Sequence, residues 1–165
     1  MRQVKGVDAG PTVLTMLDVF EALFDDVDEH LEDHVKLIPQ DILARHWWPE
    51  NGSLDLFPDQ TQSAEAIGDY AGVTARDEFL AFAQRAERLF AGFKDPMMHS
   101  AEPRLAALTA HVMRRPHLIW DMAPGRTLKQ LLTSSFSDPR LRQLFGRYAT
   151  YVGGSPDRSP ALLSL

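Results

Sequence analysis

The sequence of 165 residues contains no cysteine. Disulfides, thiolate metal sites and cysteine nucleophiles are therefore excluded. It also contains no Gly-x-Gly-x-x-Gly, the fingerprint with which a strand-turn-helix unit binds the pyrophosphate of a dinucleotide. No apolar run approaches the length of a membrane span, and the N-terminal Met-Arg-Gln-Val-Lys-Gly lacks the core of a signal peptide. A cytoplasmic protein is expected, and peripheral contact with a membrane stays open as an alternative.

The composition is that of a globular protein, with 44% hydrophobic and 24% charged residues, so one compact domain is the default. The net charge of -6 is unevenly distributed. Eight carboxylates and no Lys or Arg occur between Asp18 and Asp33, which is typical of a solvated helix face. Eight Lys or Arg residues occur between Arg114 and Arg158, but apolar residues separate them. Because the chain is acidic and has no compact basic patch, we do not expect nucleic acid as a partner.

Short extended segments are predicted mainly in the first third of the chain. They are residues 4–8, 35–38, 43–48 and 53–57. Asn51-Gly52 between the last two favours a hairpin, because both residues tolerate positive φ. Trp47 and Trp48 are adjacent on the first strand of this hairpin, so their rings must point to opposite faces. We expect one ring to join the core and the other to join an interface.

The rest of the chain is predicted to be mainly helical. Apolar residues recur at helical spacing from Val13 to Val27, behind Thr12 as a cap. Further helices are predicted over residues 63–71, 74–93, 104–115, 127–136 and 138–151. Thr74-x-x-Asp77 resembles a capping box, Pro116 would close a helix, and Asp138-Pro139 would open the last one. The expected fold class is α+β, mostly helical with a small antiparallel sheet.

Two segments near the ends carry the most information about function. Asp8-Ala9-Gly10-Pro11-Thr12 is by itself a turn with a helix cap, although its glycine would let a flat ligand approach the backbone. Residues 141–151 (LRQLFGRYATY), followed by Val152-Gly153-Gly154-Ser155-Pro156, are by themselves an amphipathic core helix ended by glycines. Both segments resemble stretches of the phytoene-desaturase family of FAD-dependent carotenoid desaturases, nearest to its hydroxyneurosporene (methoxyneurosporene) desaturase branch.

The resemblance implies roles for individual residues. The residues expected beside the flavin are Ala9, Gly10, Pro11 and Thr12. Those expected to line the substrate tunnel are Tyr151, Gly153 and Gly154. Arg147 and Tyr148 are the candidate catalytic groups in the better-matched segment. Arg114 falls where phytoene desaturases can carry a catalytic arginine, but the acid expected three positions earlier is His111 in this chain.

The same resemblance implies an oxidoreductase that introduces a C=C bond into a hydroxy- or methoxy-carotenoid by hydride transfer to FAD. Residues 1–12 would end the FAD-domain region. Residues 13–165 would form an incomplete substrate domain of a two-domain amine-oxidase-like fold whose Rossmann half is missing. The expected partners are the carotenoid substrate and the remaining parts of the parent flavoenzyme. As an internal fragment the chain alone is expected to be inactive and not to retain FAD, because it lacks the pyrophosphate-binding glycines.

The alternative from another class is a stand-alone helical module that binds a membrane surface or a protein without catalysis. Apolar residues between Met97 and Trp120 are interspersed with Arg104, Arg114 and Arg115. That composition suits either an ordinary packed helix or a helix at a membrane surface.

A metal site is not expected from the histidines. His30 and His34 are four residues apart, but Leu31 occupies the position at which a His-Glu-x-x-His zinc site requires glutamate. The carboxylates around them are better explained as solvated surface.

Overall fold

The computed structural model describes residues 16–49, 52–98 and 104–164. The chain divides into two compact units, the first ending at Gln40 and the second beginning at Asp41. The strand predicted at 4–8, the Thr12 cap, the flavin-facing turn at 9–12 and the domain boundary after residue 12 all lie outside the described residues. They remain predictions.

The first unit contains two helices, α1 (Leu17–Asp25) and α2 (Leu31–His34). The helix predicted from apolar spacing is confirmed, although it ends at Asp25 and contains no buried residue.

His30 and His34 pair with separate carboxylates, at 3.6 Å from Asp25 and 3.0 Å from Glu29. In the described part of the chain, no three His, Asp or Glu side chains converge as metal ligands would. The segment predicted to be extended over 35–38 begins with extended backbone at Val35, but it pairs with no strand among the described residues and so forms no sheet.

The second unit begins with the predicted hairpin. Strand β1 (Ala44–Trp48) pairs antiparallel with β2 (Gly52–Leu56), and Trp48 lies opposite Gly52. Alternation along β1 half-buries Trp48 and leaves Trp47 70% exposed. The Trp48 indole N–H donates to the Gln143 side-chain carbonyl at 2.9 Å. Trp48 therefore packs against the core, as expected for one of the two rings, and the interface role of Trp47 stays a prediction.

Helices make up most of the remainder, which confirms a mostly helical fold with one small antiparallel sheet. They are α3 (Gln60–Ala71), α4 (Val73–Phe93), α5 (Leu105–Met113), α6 (Pro116–Met122), α7 (Leu128–Ser135) and α8 (Pro139–Gly146). A π-helical turn, Lys94–Met98, continues α4, and 3-10 helices occupy Arg147–Val152 and Ala161–Ser164. No helix in the described residues is both long enough and apolar enough to cross a bilayer.

Three helix boundaries differ from the sequence prediction for local reasons. Gly72, with φ of 95°, both ends α3 and precedes α4, so Thr74 already lies inside the helix and does not cap it. Pro116 was expected to end α5, but α5 already ends at Met113. Pro116 instead lies in the first turn of α6, where its missing N–H costs no hydrogen bond. The last predicted helix ends as an α-helix at Gly146 and continues to Val152 as a 3-10 helix.

Other caps follow the sequence closely. Thr127 and Gln130 form a reciprocal capping box at the start of α7. The Asp138 carboxylate accepts from the Arg140 backbone N–H at 2.7 Å and caps α8. Gly153 ends the 3-10 helix with φ of 66°, a left-handed conformation that favours glycine.

The core of the second unit consists of two clusters. The larger one joins the hairpin to α3, α4, α7 and α8, and its aromatic centre is formed by Phe79, Phe82, Phe136 and Phe145. The smaller one contains Leu89 and Phe93 of α4 together with Leu118 of α6. The first cluster supports the segment that carries the predicted site.

Candidate functional site

The predicted catalytic segment starts at the buried end of α8. Phe145 stacks on Phe136 with ring centroids 5.0 Å apart and planes 11° apart. Phe145 also stacks on Tyr148 at 6.5 Å, and Tyr148 stacks on Tyr151 at 5.8 Å. The exposed fraction rises from 8% for Phe145 to 39% for Tyr148 and 73% for Tyr151. A row of stacked rings therefore leads from the core to the surface.

The 3-10 conformation of 147–152 produces this row. Because a 3-10 helix has three residues per turn, side chains three positions apart lie one above the other. Tyr148 and Tyr151 meet this spacing, and Phe145 at the end of α8 extends it inward. An α-helix through the same residues would rotate Tyr151 away from Tyr148 by about 60°. The departure from the predicted α-helix thus has a direct effect on the site.

Arg147 lies beside this aromatic row and against the hairpin. Its guanidinium carbon is 5.8 Å from the centre of the Tyr148 ring, within the range of a cation–π contact. Its Nη1 is 3.3 Å from His46 Nδ1, across 101 residues of sequence. His46 reaches it because β1 alternates, so that His46 and Trp48 both face α8 and the helix that follows it.

The electrostatics of this pair favour a neutral imidazole. Burial lowers the pKa of His46 below its usual value, the positive charge of Arg147 lowers it further, and Asp55 acts in the opposite direction. A neutral ring with its proton on Nε2 can accept a hydrogen bond from Arg147 at Nδ1. His46 therefore contacts Arg147 as a hydrogen-bond acceptor.

Gly153 and Gly154 follow this site but differ in their surroundings. A Cβ placed on Gly153 would meet nothing within 4 Å, and its positive φ explains the glycine. A Cβ on Gly154 would fall 3.2 Å from the Ala149 carbonyl oxygen and almost onto the Ser159 hydroxyl. The close approach that Gly154 allows in this structure is therefore with the chain's own backbone and Ser159. Their tunnel-lining role stays a prediction.

The structure brings together Arg147, Tyr148 and Tyr151, but it gives Arg114 different surroundings. Arg114 is exposed at the C-terminal end of α5, which packs on α6. The neighbouring His111 lies 2.7 Å from the Gly92 carbonyl oxygen through Nε2. A carbonyl oxygen can only accept, so Nε2 carries the proton and His111 joins α5 to α4. The catalytic role expected for Arg114 stays a prediction.

Comparison with known proteins then identifies relatives of the chain. No family model matches it. It is 45% identical to the hydroxyneurosporene desaturase of Cereibacter sphaeroides over 159 residues, which cover 96% of this chain and 32% of that protein. The corresponding protein of Rhodobacter capsulatus is 46% identical over 158 residues, with the same shares of the two chains. The chain is homologous to the hydroxyneurosporene desaturases.

A more distant carotenoid enzyme matches the same region. The 4,4'-diaponeurosporene oxygenase of Staphylococcus aureus is 26% identical over 162 residues, covering 97% of this chain and 32% of that protein. The predicted resemblance to carotenoid desaturases is thus confirmed along nearly the whole chain. The chain spans about a third of the length of the curated relatives it matches.

Sequence reasoning had missed His46 as a member of the site. The available signal was its place two residues before Trp48, on the same face of a predicted strand. That signal predicts which face of the strand carries His46. It does not predict the contact with Arg147, because Arg147 lies on an element far along the chain.

Proposed function

We propose that the full-length protein containing this chain is a carotenoid desaturase acting on a hydroxy- or methoxy-carotenoid. This chain would contribute part of the substrate-binding domain. The observation that carries the proposal is identity of 41–46% to three proteins named hydroxyneurosporene desaturase, each covering at least 96% of the chain. The same observation favours an enzyme over a stand-alone interaction module.

The stacked row of rings supports a role in binding a conjugated chain. A polyene is flat, apolar and rich in π electrons, and aromatic faces offer it stacking contacts without hydrogen bonds. Tyr151 presents such a face at the surface, stacked on Tyr148 and, through it, on the buried ring of Phe145. Arg147, held by His46, would supply the charged donor at the edge of this surface and orient an oxygen-bearing end group.

FAD, which the resemblance implies, does not fit the described residues. The one direct strand-to-helix connection in the described part runs from β2 to α3 and contains no glycine between Leu56 and Asp59. At the start of α3 the Asp59 carboxylate accepts from the Gln62 backbone N–H at 2.8 Å. A negative charge already occupies the position where a pyrophosphate would bind. We therefore propose that FAD is bound by parts of the enzyme other than these residues, and no reaction step is assigned to it.

We also propose peripheral membrane contact, through exposed side chains at the end of α5 and on α6. Met113 is 70% exposed and Trp120 is 84% exposed, with exposed Arg114 and Arg115 beside Met113 in sequence. Exposed apolar side chains together with cations suit the headgroup region of an anionic bilayer. Sedimentation of the chain with anionic vesicles, but not of a Met113→Ser, Trp120→Ser variant, would support this contact. Equal sedimentation of both would contradict it.

The test of the main proposal uses Arg147 in the full-length enzyme. Arg147→Ala should lower desaturation by about tenfold or more, and Arg147→Lys should also impair it, because lysine cannot reproduce the planar fork of donors. Product would be measured in a carotenoid-accumulating host, with protein levels matched by immunoblot. Arg158→Lys, an exposed exchange outside this site, is the matched control and should leave the yield unchanged.

Wild-type yields from both Arg147 variants would remove Arg147 from the site. A full-length wild type that forms no desaturated product from any supplied hydroxy- or methoxy-carotenoid would contradict the proposed function itself.

A further inference from the structure

Helix α1 of the first unit has an apolar side that is exposed to solvent. At 3.6 residues per turn, Val19, Phe20 and Leu23 lie within about 100° of one another around the helix axis. They are 43%, 40% and 61% exposed, and α1 contains no buried residue. A helix as short as this one gains most of its stability from packing of its apolar side. The contact that would stabilise α1 is therefore still to be made.

The opposite side of α1 is the one that faces α2. Glu21 and Asp25 line the groove between the two helices, and Asp25 Oδ1 lies 3.6 Å from His30 Nδ1 at the start of α2. Around the helix axis, Val19 and Leu23 are each about 160° from Glu21. These two side chains therefore point away from α2, and the groove within the first unit does not cover them.

The charge of this segment decides between a bilayer and a protein as the cover for the apolar side. Eight carboxylates and no Lys or Arg occur between Asp18 and Asp33. An anionic bilayer attracts amphipathic helices that carry Lys or Arg, so it repels this one. A protein surface that is apolar and bordered by Lys or Arg complements both the apolar side and the carboxylates beside it. The charge therefore favours a protein surface.

We propose that Val19, Phe20 and Leu23 pack against the part of the full-length enzyme that lies outside this chain, on an apolar surface bordered by Lys or Arg. The chain covers 32% of each of its two relatives described above, so most of such an enzyme lies outside it. Removal of the three side chains from water would drive the contact. The proposal rests on this chain being part of a longer enzyme, as proposed above, but not on the reaction of that enzyme.

The experiment measures thiol labelling, because the chain contains no cysteine of its own. Leu23→Cys is compared with Asp25→Cys as a matched control. Leu23 is 61% exposed and the Asp25 side chain is 65% exposed. Since the two positions are about 160° apart around α1, only the first lies on the apolar side. Each variant is made in the isolated chain and in the full-length enzyme, and its rate of reaction with N-ethylmaleimide is measured without lipid.

The thiol at position 23 should react at least about tenfold more slowly in the full-length enzyme than in the isolated chain, because labelling there requires the contact to open. The thiol at position 25 should react at rates within about threefold of each other in the two proteins. Peptide mass spectrometry assigns the label to position 23 or 25, whatever cysteines the rest of the enzyme contains.

The basic border of the partner surface is tested by Asp26→Lys in the Leu23→Cys background. Asp26 is the C-cap of α1, where a lysine is favourable to the helix, so this exchange should not unfold α1. The ratio of the full-length rate to the isolated-chain rate cancels any direct effect of the lysine on the thiol. This ratio should rise by about threefold or more, because like charges would then meet at the border. An unchanged ratio would overturn the assigned partner surface.

Equal labelling of position 23 in the isolated chain and in the full-length enzyme would overturn the proposal. Slow labelling already in the isolated chain would also overturn it, and a rate that falls with chain concentration would assign the cover to a second copy. Protection that requires added anionic vesicles would assign it to a bilayer, with the same consequence. A full-length enzyme that protects position 23 but forms no desaturated product would contradict the proposed function alone.

Discussion

Phe145→Ala should lower the free energy of unfolding by about 3–5 kcal/mol, the usual cost of removing a buried phenylalanine. Phe145 lies within 6.5 Å, centroid to centroid, of four other rings, those of Phe79, Phe82, Phe136 and Tyr148. Removal of its ring leaves a cavity that these neighbours cannot fill, because they come from α4, the loop after α7 and the 3-10 helix 147–152. It also removes the buried base on which Tyr148 and Tyr151 stack.

Urea denaturation followed by circular dichroism measures this effect. Tyr151→Ala is the matched control, because its ring is 73% exposed and its loss should cost less than about 1 kcal/mol. If Phe145→Ala cost no more than this control, the aromatic cluster would not be the centre of the core.

Leu118→Ala should be the second large effect, with a loss of about 2–5 kcal/mol. Leu118 is fully buried between α6 and α4, in the smaller cluster with Leu89 and Phe93. Its methyl groups fit over Gly92, since a Cβ on that glycine would lie 2.7 and 2.9 Å from them. Because Gly92 has no side chain, α4 leaves the space that Leu118 occupies.

This fit can be tested by a double-mutant cycle measured with the same urea denaturation. Gly92→Ala alone should lower the free energy of unfolding by about 1–3 kcal/mol through overpacking. The higher helix propensity of alanine should offset part of this loss. In the Gly92→Ala, Leu118→Ala double variant the new methyl group enters the vacated space. The loss of unfolding free energy in the double variant should therefore be smaller than the sum of the two single losses, by about 0.5–3 kcal/mol. Strict additivity would contradict the contact, and Ile119→Ala, at a partly exposed neighbour, controls for helix propensity.

Local signals predicted several features correctly. The hairpin follows from two runs of strand-forming residues around Asn51-Gly52, and the start of α8 from Asp138-Pro139. These succeed because the interactions concerned join residues only a few positions apart. The relation to carotenoid desaturases was likewise clearest in short contiguous segments near the two ends, and it is confirmed over nearly the whole chain.

Other local signals failed where a neighbouring element competed with them. Thr74-x-x-Asp77 has the composition of a helix cap. However, Gly72 is the single residue between α3 and α4, so α4 begins at Val73 and Thr74 lies within it. Residues 35–38 have a strand-like sequence, but a strand exists only where a partner supplies hydrogen bonds. Neither outcome can be deduced from the segment alone.

By itself, the sequence determined the types of the main elements, the opposite orientations of Trp47 and Trp48, and the family of its relatives. Tertiary structure decided which distant groups meet. The 3-10 helix after Gly146 stacks Tyr148 on Tyr151, and the packing of the hairpin against α8 brings His46 to Arg147. The physical reason is that spacing along a chain determines neighbours only within one element, whereas burial of apolar faces determines which elements come together.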